Sequence, residues 1–182
     1  MAAEPQSLRV AQLRRNIVDA LTDLYRRDLY LLQRDANERS ITHKLAEHLQ
    51  RRFPNWDVDC EYNRRGSDPK RLPLPQSSLN RSHVRADSTE AVTVFPDIII
   101  HHRGTDHNVA VIEVKKVGGH DDTRDAQKID AFSSSPLYRY EFGLLLKLDA
   151  SFSSCSLYRY LGIEWWEDWS GELERAIDGA RE

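Results

Sequence analysis

Three ionisable side chains stand where an apolar chain would be expected. In the stretch "VFPDIIIHHRGTDHNVAVIEVKK", residues 94–116, Asp97 opens one apolar run, and Glu113 and Lys115 close the next. Burying a charge costs several kcal/mol unless it is paired or bound to a metal. Side chains alternate faces along a strand, so Val109, Val111, Glu113 and Lys115 share one face, and Ala110, Ile112 and Val114 share the other. Asp97, Ile99 and His101 share a face of the preceding run. The segment "RGTDHN" reads as the turn between the two. A hairpin centred near Thr105 pairs residues whose numbers sum to about 210, which sets Asp97 opposite Glu113; a slip of one residue would flip the faces.

Neighbouring strands lie about 4.8 Å apart, so two carboxylates placed this way can grip one cation. Mg²⁺ takes one or two carboxylates together with water and substrate phosphate oxygens. Such a cation activates water and screens phosphate charge, and a lysine beside it stabilises charge in the transition state. Phosphodiester cleavage is a reaction that uses this set. Helical geometry adds a third acid: at 100° per residue Glu38 falls within about 20° of Leu45 and Leu49, at the N-terminal end of their buried stripe.

The elements that position these groups follow from periodicity. Residues 7 to about 34 read as one bent helix or two, with Val10, Leu13, Ile17, Leu21 and Leu24 at three- and four-residue steps. A second helical pattern runs from about Asn37 to Phe53 and stops at Pro54. Strands are expected at 56–62, 93–101, 109–115 and 140–148, with a helix at 123–133 capped by Asp121 or Asp122. "LYRYLGIEWWEDW" reads as a further strand, and "SGELERAIDGARE" as a final helix capped by Ser170. Residues 1–36 are expected to form a helical extension packed on a domain spanning 37–182, with a second use in homodimer formation.

The chain of 182 residues carries 30% charged and 40% hydrophobic residues and a formal charge of −3. It has no run near the ~20 apolar residues of a membrane span, and its first residues lack the apolar core of a secretory signal. Cys60 and Cys155 are too few for a disulfide framework; a reducing cytoplasm is the expected setting. Charge is uneven. Residues 63–92 form a Pro- and Ser-rich loop whose stretch from Asn63 to Ala86 is basic, with Arg64, Arg65, Lys70, Arg71, Arg81 and Arg85 against Asp68. A loop of this length is usually functional or disordered, and Arg64 and Arg65 are expected to meet substrate phosphate.

With "FPD" on the second core strand and "EVK" on the third, residues 37–148 resemble the PD-(D/E)XK nuclease superfamily. The fragments "CEYNRRG" and "KKVGGHDD" are similar to bacterial members of it. The resemblance implies an α/β fold: a restriction endonuclease-like three-layer α-β-α sandwich, a mixed central sheet and an αβββαβ core. It implies a metal-dependent nuclease, with DNA the expected substrate ahead of RNA, Mg²⁺ as cofactor and Mn²⁺ as a substitute. Asp97 and Glu113 would be metal ligands with the Val114 carbonyl as a third, Lys115 the catalytic lysine, and Glu38 the acid on the first core helix. Gln127 or Lys128 would lie near substrate phosphate. The glutamine–tyrosine pair of one exonuclease branch is absent, because Ala131 stands at the tyrosine position.

Several plainer readings stand beside this one. Asp97 alone is an ordinary strand-start residue, and E-x-K alone is an ordinary ion-paired face. Glu38 also suits a helix N-terminus, where acids are favoured. Asp59 and Glu61 fit solvent or a salt bridge better than the site. His101, His102 and His107 do not match zinc spacing, although His101 shares the Asp97 face. Trp165, Trp166 and Trp169 alternate with acids and fit core packing better than anion contact. The competing functional class is a catalytically inactive nuclease-fold module that binds nucleic acid or a protein partner.

Overall fold

The structure, a computed structural model, describes residues 6–65, 68–72, 92–93, 95–118, 122–151, 154–162 and 165–178. Helix α1 (Gln6–Arg27) is followed by α2 (Leu29–Gln33) and α3 (Glu38–Arg52). The long first helical pattern thus resolves into two helices. They part at Asp28, whose Oδ2 lies 2.7 Å from the Nε2 of buried His48 on α3. Asn37 caps α3, accepting the Ser40 N–H at 2.8 Å. That cap puts Glu38 in the first turn, where the helix dipole favours a carboxylate.

The main sheet is mixed and six-stranded, in the order β1 (Asp57–Cys60), β6 (Ile98–His101), β7 (Asn108–Lys116), β8 (Phe142–Leu148), β9 (Ser156–Gly162) and β10 (Trp165–Asp168). Four short strands lie between β1 and β6 in sequence. They are β2 (Arg64–Arg65) paired with β3 (Asp68–Pro69), and β4 (Arg71–Leu72) paired with β5 (Val92–Thr93). The chain enters the main sheet only at Ile98, so the strand expected over 93–101 is shorter than its apolar run. The first strand also ends early, at Cys60, because Glu61 takes φ 49.

Strand β7 runs antiparallel to β6 and parallel to β8. Flanked on both edges and covered on both faces, it reads as a continuous apolar run. Parallel strands need a crossover, and α4 (Asp122–Ser134) supplies it between β7 and β8. The region expected to hold one more strand forms two, β9 and β10, followed by α5 (Ser170–Asp178). Ser170 does not cap α5. It is the first helical residue, its N–H goes to Asp168 Oδ1 at 2.8 Å, and its Oγ accepts the Leu157 N–H. A cap at Asp121 lies outside the described residues.

The two sheet faces carry separate cores. On one, Leu13, Ile17, Leu21 and Leu24 of α1, Ile41, Leu45 and Leu49 of α3, and Leu173 of α5 pack with Ile98, Ile100, Ile112, Val114, Leu144 and Leu146. On the other, Phe132 of α4 packs with Leu72, Ile99, Val111, Tyr138 and Tyr140. Each fully buried Leu, Ile or Phe contributes about 1.5–3 kcal/mol. The apolar stripe of α1 is therefore part of the main core, spent against α3, α5 and the sheet within one chain. No described helix is long and apolar enough to cross a membrane. Cys60 and Cys155 are free thiols, and Trp169 is core.

Candidate active site

The hairpin register is the one the turn position implies. Ile98 pairs with Ile112, Ile99 with Val111 and Ile100 with Ala110, before a bulge moves His101 opposite Asn108. Continued by one residue, this register sets Asp97 beside Glu113. Asp97 lies in the bend just before β6, and its Oδ2 accepts the Val114 N–H at 2.8 Å. Val114 thus gives its N–H to the site, whatever its carbonyl does.

Glu113 is 0% exposed, on the α4 face of the sheet. Its Oε2 lies 2.5 Å from the Lys128 ammonium, and its Oε1 is buried without a hydrogen-bond partner. Burial pushes the Glu113 carboxyl well above the usual range, and the Asp97 charge pushes the same way against the pull of Lys128. Asp97 is also raised, by burial, against Lys128 and the Val114 N–H. For Lys128, burial would lower the ammonium, but Glu113 and Asp97 outweigh it and the net shift is upward.

Lys115 shares the Glu113 face. Its Nζ lies 3.4 Å from Glu38 Oε1 and 3.4 Å from Asp125 Oδ2. Here too burial opposes the charge and is outweighed, by Asp125 and Glu38, so the lysine stays protonated. The other Glu38 oxygen faces the Lys116 N–H at 3.4 Å. The α3 N-terminus therefore meets the end of β7, as the helical angle of Glu38 implies. Lys147 of β8 is the register partner of Lys115, which adds a third lysine to this end of the sheet.

Asp125 is the residue that sequence reasoning missed. It is 2% exposed, its Oδ1 lies 3.7 Å from Lys128, and its Oδ2 makes no hydrogen bond, with Lys115 3.4 Å away. Burial raises its carboxyl, against both lysines. A signal was present: four and seven residues before buried Ile129 and Phe132, Asp125 shares their helix face. The angular argument that selects Glu38 selects Asp125 equally well.

Of the two candidates on α4, Lys128 reaches Glu113, while Gln127 is half-buried and turned about 100° around the helix. The packing of α4 on β8 fixes this. A Cβ on Gly143 would lie 2.3 Å from Ile129 Cγ2, so the helix rests directly on the strand there.

Other expected contributors lie elsewhere. His101 is buried at the far end of β6, with Nε2 2.9 Å from Asp59 Oδ2. Asp59 also takes the Arg103 guanidinium, and Glu61 pairs with Arg39 at 2.8 Å. His102 stacks on Trp56 with centroids 4.0 Å apart. Arg64 is exposed on β2; the Arg65 side chain, Arg81 and Arg85 lie outside the described residues. Lys70 departs from expectation. It is not a solvated loop charge but 3% exposed, bonded to Tyr140 Oη at 2.6 Å and lying over the Tyr62 and Tyr140 rings. Burial lowers its ammonium to about 8.

The group at the end of β7 thus holds four carboxylates, Glu38, Asp97, Glu113 and Asp125, and two ammonium groups, Lys115 and Lys128. Among the described residues, no three His, Cys, Asp or Glu side chains are gathered closely enough to hold a metal as they stand. The donors nevertheless fit a hard cation. They are all oxygens, carry excess negative charge, and include a buried carboxylate oxygen with no partner. Comparison with protein-family models, curated proteins and solved structures finds no match to this chain. The arrangement of these six side chains therefore has to supply the chemistry.

Proposed function

We propose that the chain is a divalent-metal-dependent nuclease of the restriction endonuclease-like PD-(D/E)XK type, hydrolysing phosphodiester bonds, with DNA the expected substrate ahead of RNA. The observation that carries the reading is Glu113: a fully buried carboxylate on a central strand, with Asp97 beside it, Lys115 on its face and one oxygen unpartnered. A structural ion pair with Lys128 alone would not account for that second oxygen, since an unsatisfied buried acceptor costs about 1–3 kcal/mol.

Asp97 and Glu113 are the residues to hold Mg²⁺ or Mn²⁺, with the Val114 carbonyl as a further donor. The cation supplies Lewis acidity toward phosphate and water. Lys115, kept protonated by Asp125 and Glu38, stabilises charge growing on the non-bridging phosphate oxygens. In the reaction a water oxygen bonds to phosphorus, one P–O ester bond breaks, and the proton from water ends on the leaving oxygen. Gln127 and Lys147 are candidates for contact with flanking phosphates, which gives affinity without sequence preference; Arg64 instead lines a pocket with His101, Gly104 and Asn108 at the turn end of the hairpin.

One finding favours the second reading, an inactive nuclease-fold module binding nucleic acid or a protein: Lys128 already pairs with Glu113. Incubating the protein with linear and circular DNA, RNA and single strands in Mg²⁺, Mn²⁺ or EDTA separates the two. Metal-dependent cutting that Asp97→Ala abolishes supports the nuclease. Binding without turnover in any metal supports the module and overturns the enzyme.

A further inference from the structure

Two lysines and two buried carboxylates at this site form an alternating chain: Glu113, Lys128, Asp125, Lys115, in that order of contact. The links are unequal. Lys128 lies 2.5 Å from Glu113 but 3.7 Å from Asp125, and Lys115 lies 3.4 Å from Asp125. Lys128 thus holds the carboxylate that a cation would need, while a second acceptor stands within a small side-chain movement. Lys128 and Asp125 are three residues apart on α4, the spacing at which helical side chains meet. Asp125 is buried too deeply to serve as a surface partner; its Oδ1 faces Lys128, and its Oδ2, without a hydrogen bond, faces Lys115.

We infer that Asp125 is a positioning residue that receives Lys128 from Glu113 when a divalent cation enters. The inference rests on the metal-dependent reading of the site. Asp125 need not touch the cation. A doubly charged ion beside Glu113 repels the Lys128 ammonium, and a buried ammonium without a partner is costly, so its move requires an acceptor. Asp125 is the acceptor within reach. The two lysines face different oxygens of Asp125, Lys128 the Oδ1 and Lys115 the Oδ2, so Asp125 can take Lys128 without giving up Lys115.

Titration calorimetry with Mn²⁺ alone, without nucleic acid, tests this on the full chain. Lys128→Met removes the competitor, so its Mn²⁺ affinity should rise. Asp125→Asn removes the acceptor, so its affinity should fall by about 10-fold to 100-fold, the range for groups that act behind metal ligands. In the Lys128→Met background Asp125→Asn should change affinity little, because no lysine is left to relocate. An equal loss in both backgrounds overturns the inference and makes Asp125 a direct ligand. Mn²⁺ binding in the wild type unaffected by either substitution also overturns it. No binding in the wild type or any variant overturns the metal reading itself, and this inference with it. Far-UV circular dichroism checks each fold. Should a variant not fold, lysine ammonium NMR of the wild type gives the answer: the Lys128 signal should shift during a Mg²⁺ titration. A Lys128 signal that stays fixed while Mg²⁺ binds overturns the exchange.

Discussion

Lys128 of α4 and Glu113 of β7 meet across the helix–sheet interface, Nζ 2.5 Å from Oε2, and the ammonium pulls the Glu113 carboxyl down against the burial that raises it. Removing one partner of a buried pair leaves the other unpaired, at about 3–5 kcal/mol. Lys128→Met should therefore lower stability by about that amount near neutral pH in urea unfolding. The Glu113 carboxyl is raised on folding, so the folded state holds a proton that the unfolded state has released. Its contribution to stability is full below the unfolded value of about 4.3 and is lost as pH rises through the folded one. The variant's deficit should accordingly shrink in acid and grow as pH rises, because an unpaired Glu113 becomes more costly to ionise in place. A deficit independent of pH would mean that Lys128 acts by packing alone.

The proposed catalytic roles are separable from stability. Asp97→Asn, Glu113→Gln and Lys115→Ala should each lower the cleavage rate by at least about 100-fold, the usual effect of removing one transition-state stabiliser. Lys115 is partly exposed but faces buried Asp125, so Lys115→Ala should lower the unfolding midpoint less than Lys128→Met does. EDTA should stop cleavage, and added Mg²⁺ or Mn²⁺ should restore it. A Lys115→Ala protein that still cuts at the wild-type rate would remove that lysine from the mechanism.

Gly143 tests whether the seat of α4 sets the site. An added Cβ would meet Ile129 Cγ2 at 2.3 Å, Ser133 Oγ at 3.0 Å and Tyr160 Cβ at 3.2 Å. Overpacking of this kind costs about 1–3 kcal/mol. Gly143→Ala should lower stability by that order and also reduce cleavage at full folding, because the helix carrying Asp125 and Lys128 must shift. Thermal melts and rates measured on the same preparation check both effects.

Lys70 makes the opposite pH prediction from Glu113. Burial lowers its ammonium to about 8 in the folded protein, from 10.5. Between these values the unfolded chain binds the proton that the folded chain has lost, so stability rises with pH across that window. Relative to Lys70→Met, the wild type should gain on the order of 2–3 kcal/mol from pH 8 to pH 10.5. Paired urea titrations at several pH values would show it. No relative gain would mean that the Tyr62 and Tyr140 rings and the Tyr140 hydroxyl stabilise the charge enough to offset its burial.

Much of this arrangement follows from local pattern. The alternation in "VAVIEVKK" puts Glu113 and Lys115 on one face, and the turn at "RGTDHN" fixes the register that brings Asp97 alongside. The helical angle of Glu38 brings it to the strand end. Each of these rests on a short-range period, two residues for a strand and 3.6 for a helix, so a run of sequence contains the information. The failures have the same logic. Lys70 reads as a loop charge because nothing nearby in sequence announces Tyr140, 70 residues on. Ser170 reads as a cap because serine commonly is one, yet its hydroxyl serves Leu157 on β9.

The sequence by itself determined which side chains face together along each element: Glu113 with Lys115 on β7, and Asp125 with Ile129 and Phe132 on α4. Only the tertiary structure decided that these two faces meet, that Lys128 takes Glu113, and that Asp125 stands between the two lysines. The physical reason is that a face is set by backbone periodicity, whereas the partner of a face is set by packing. That packing depends on where the crossover lands α4 on the sheet and on a glycine that lets it approach.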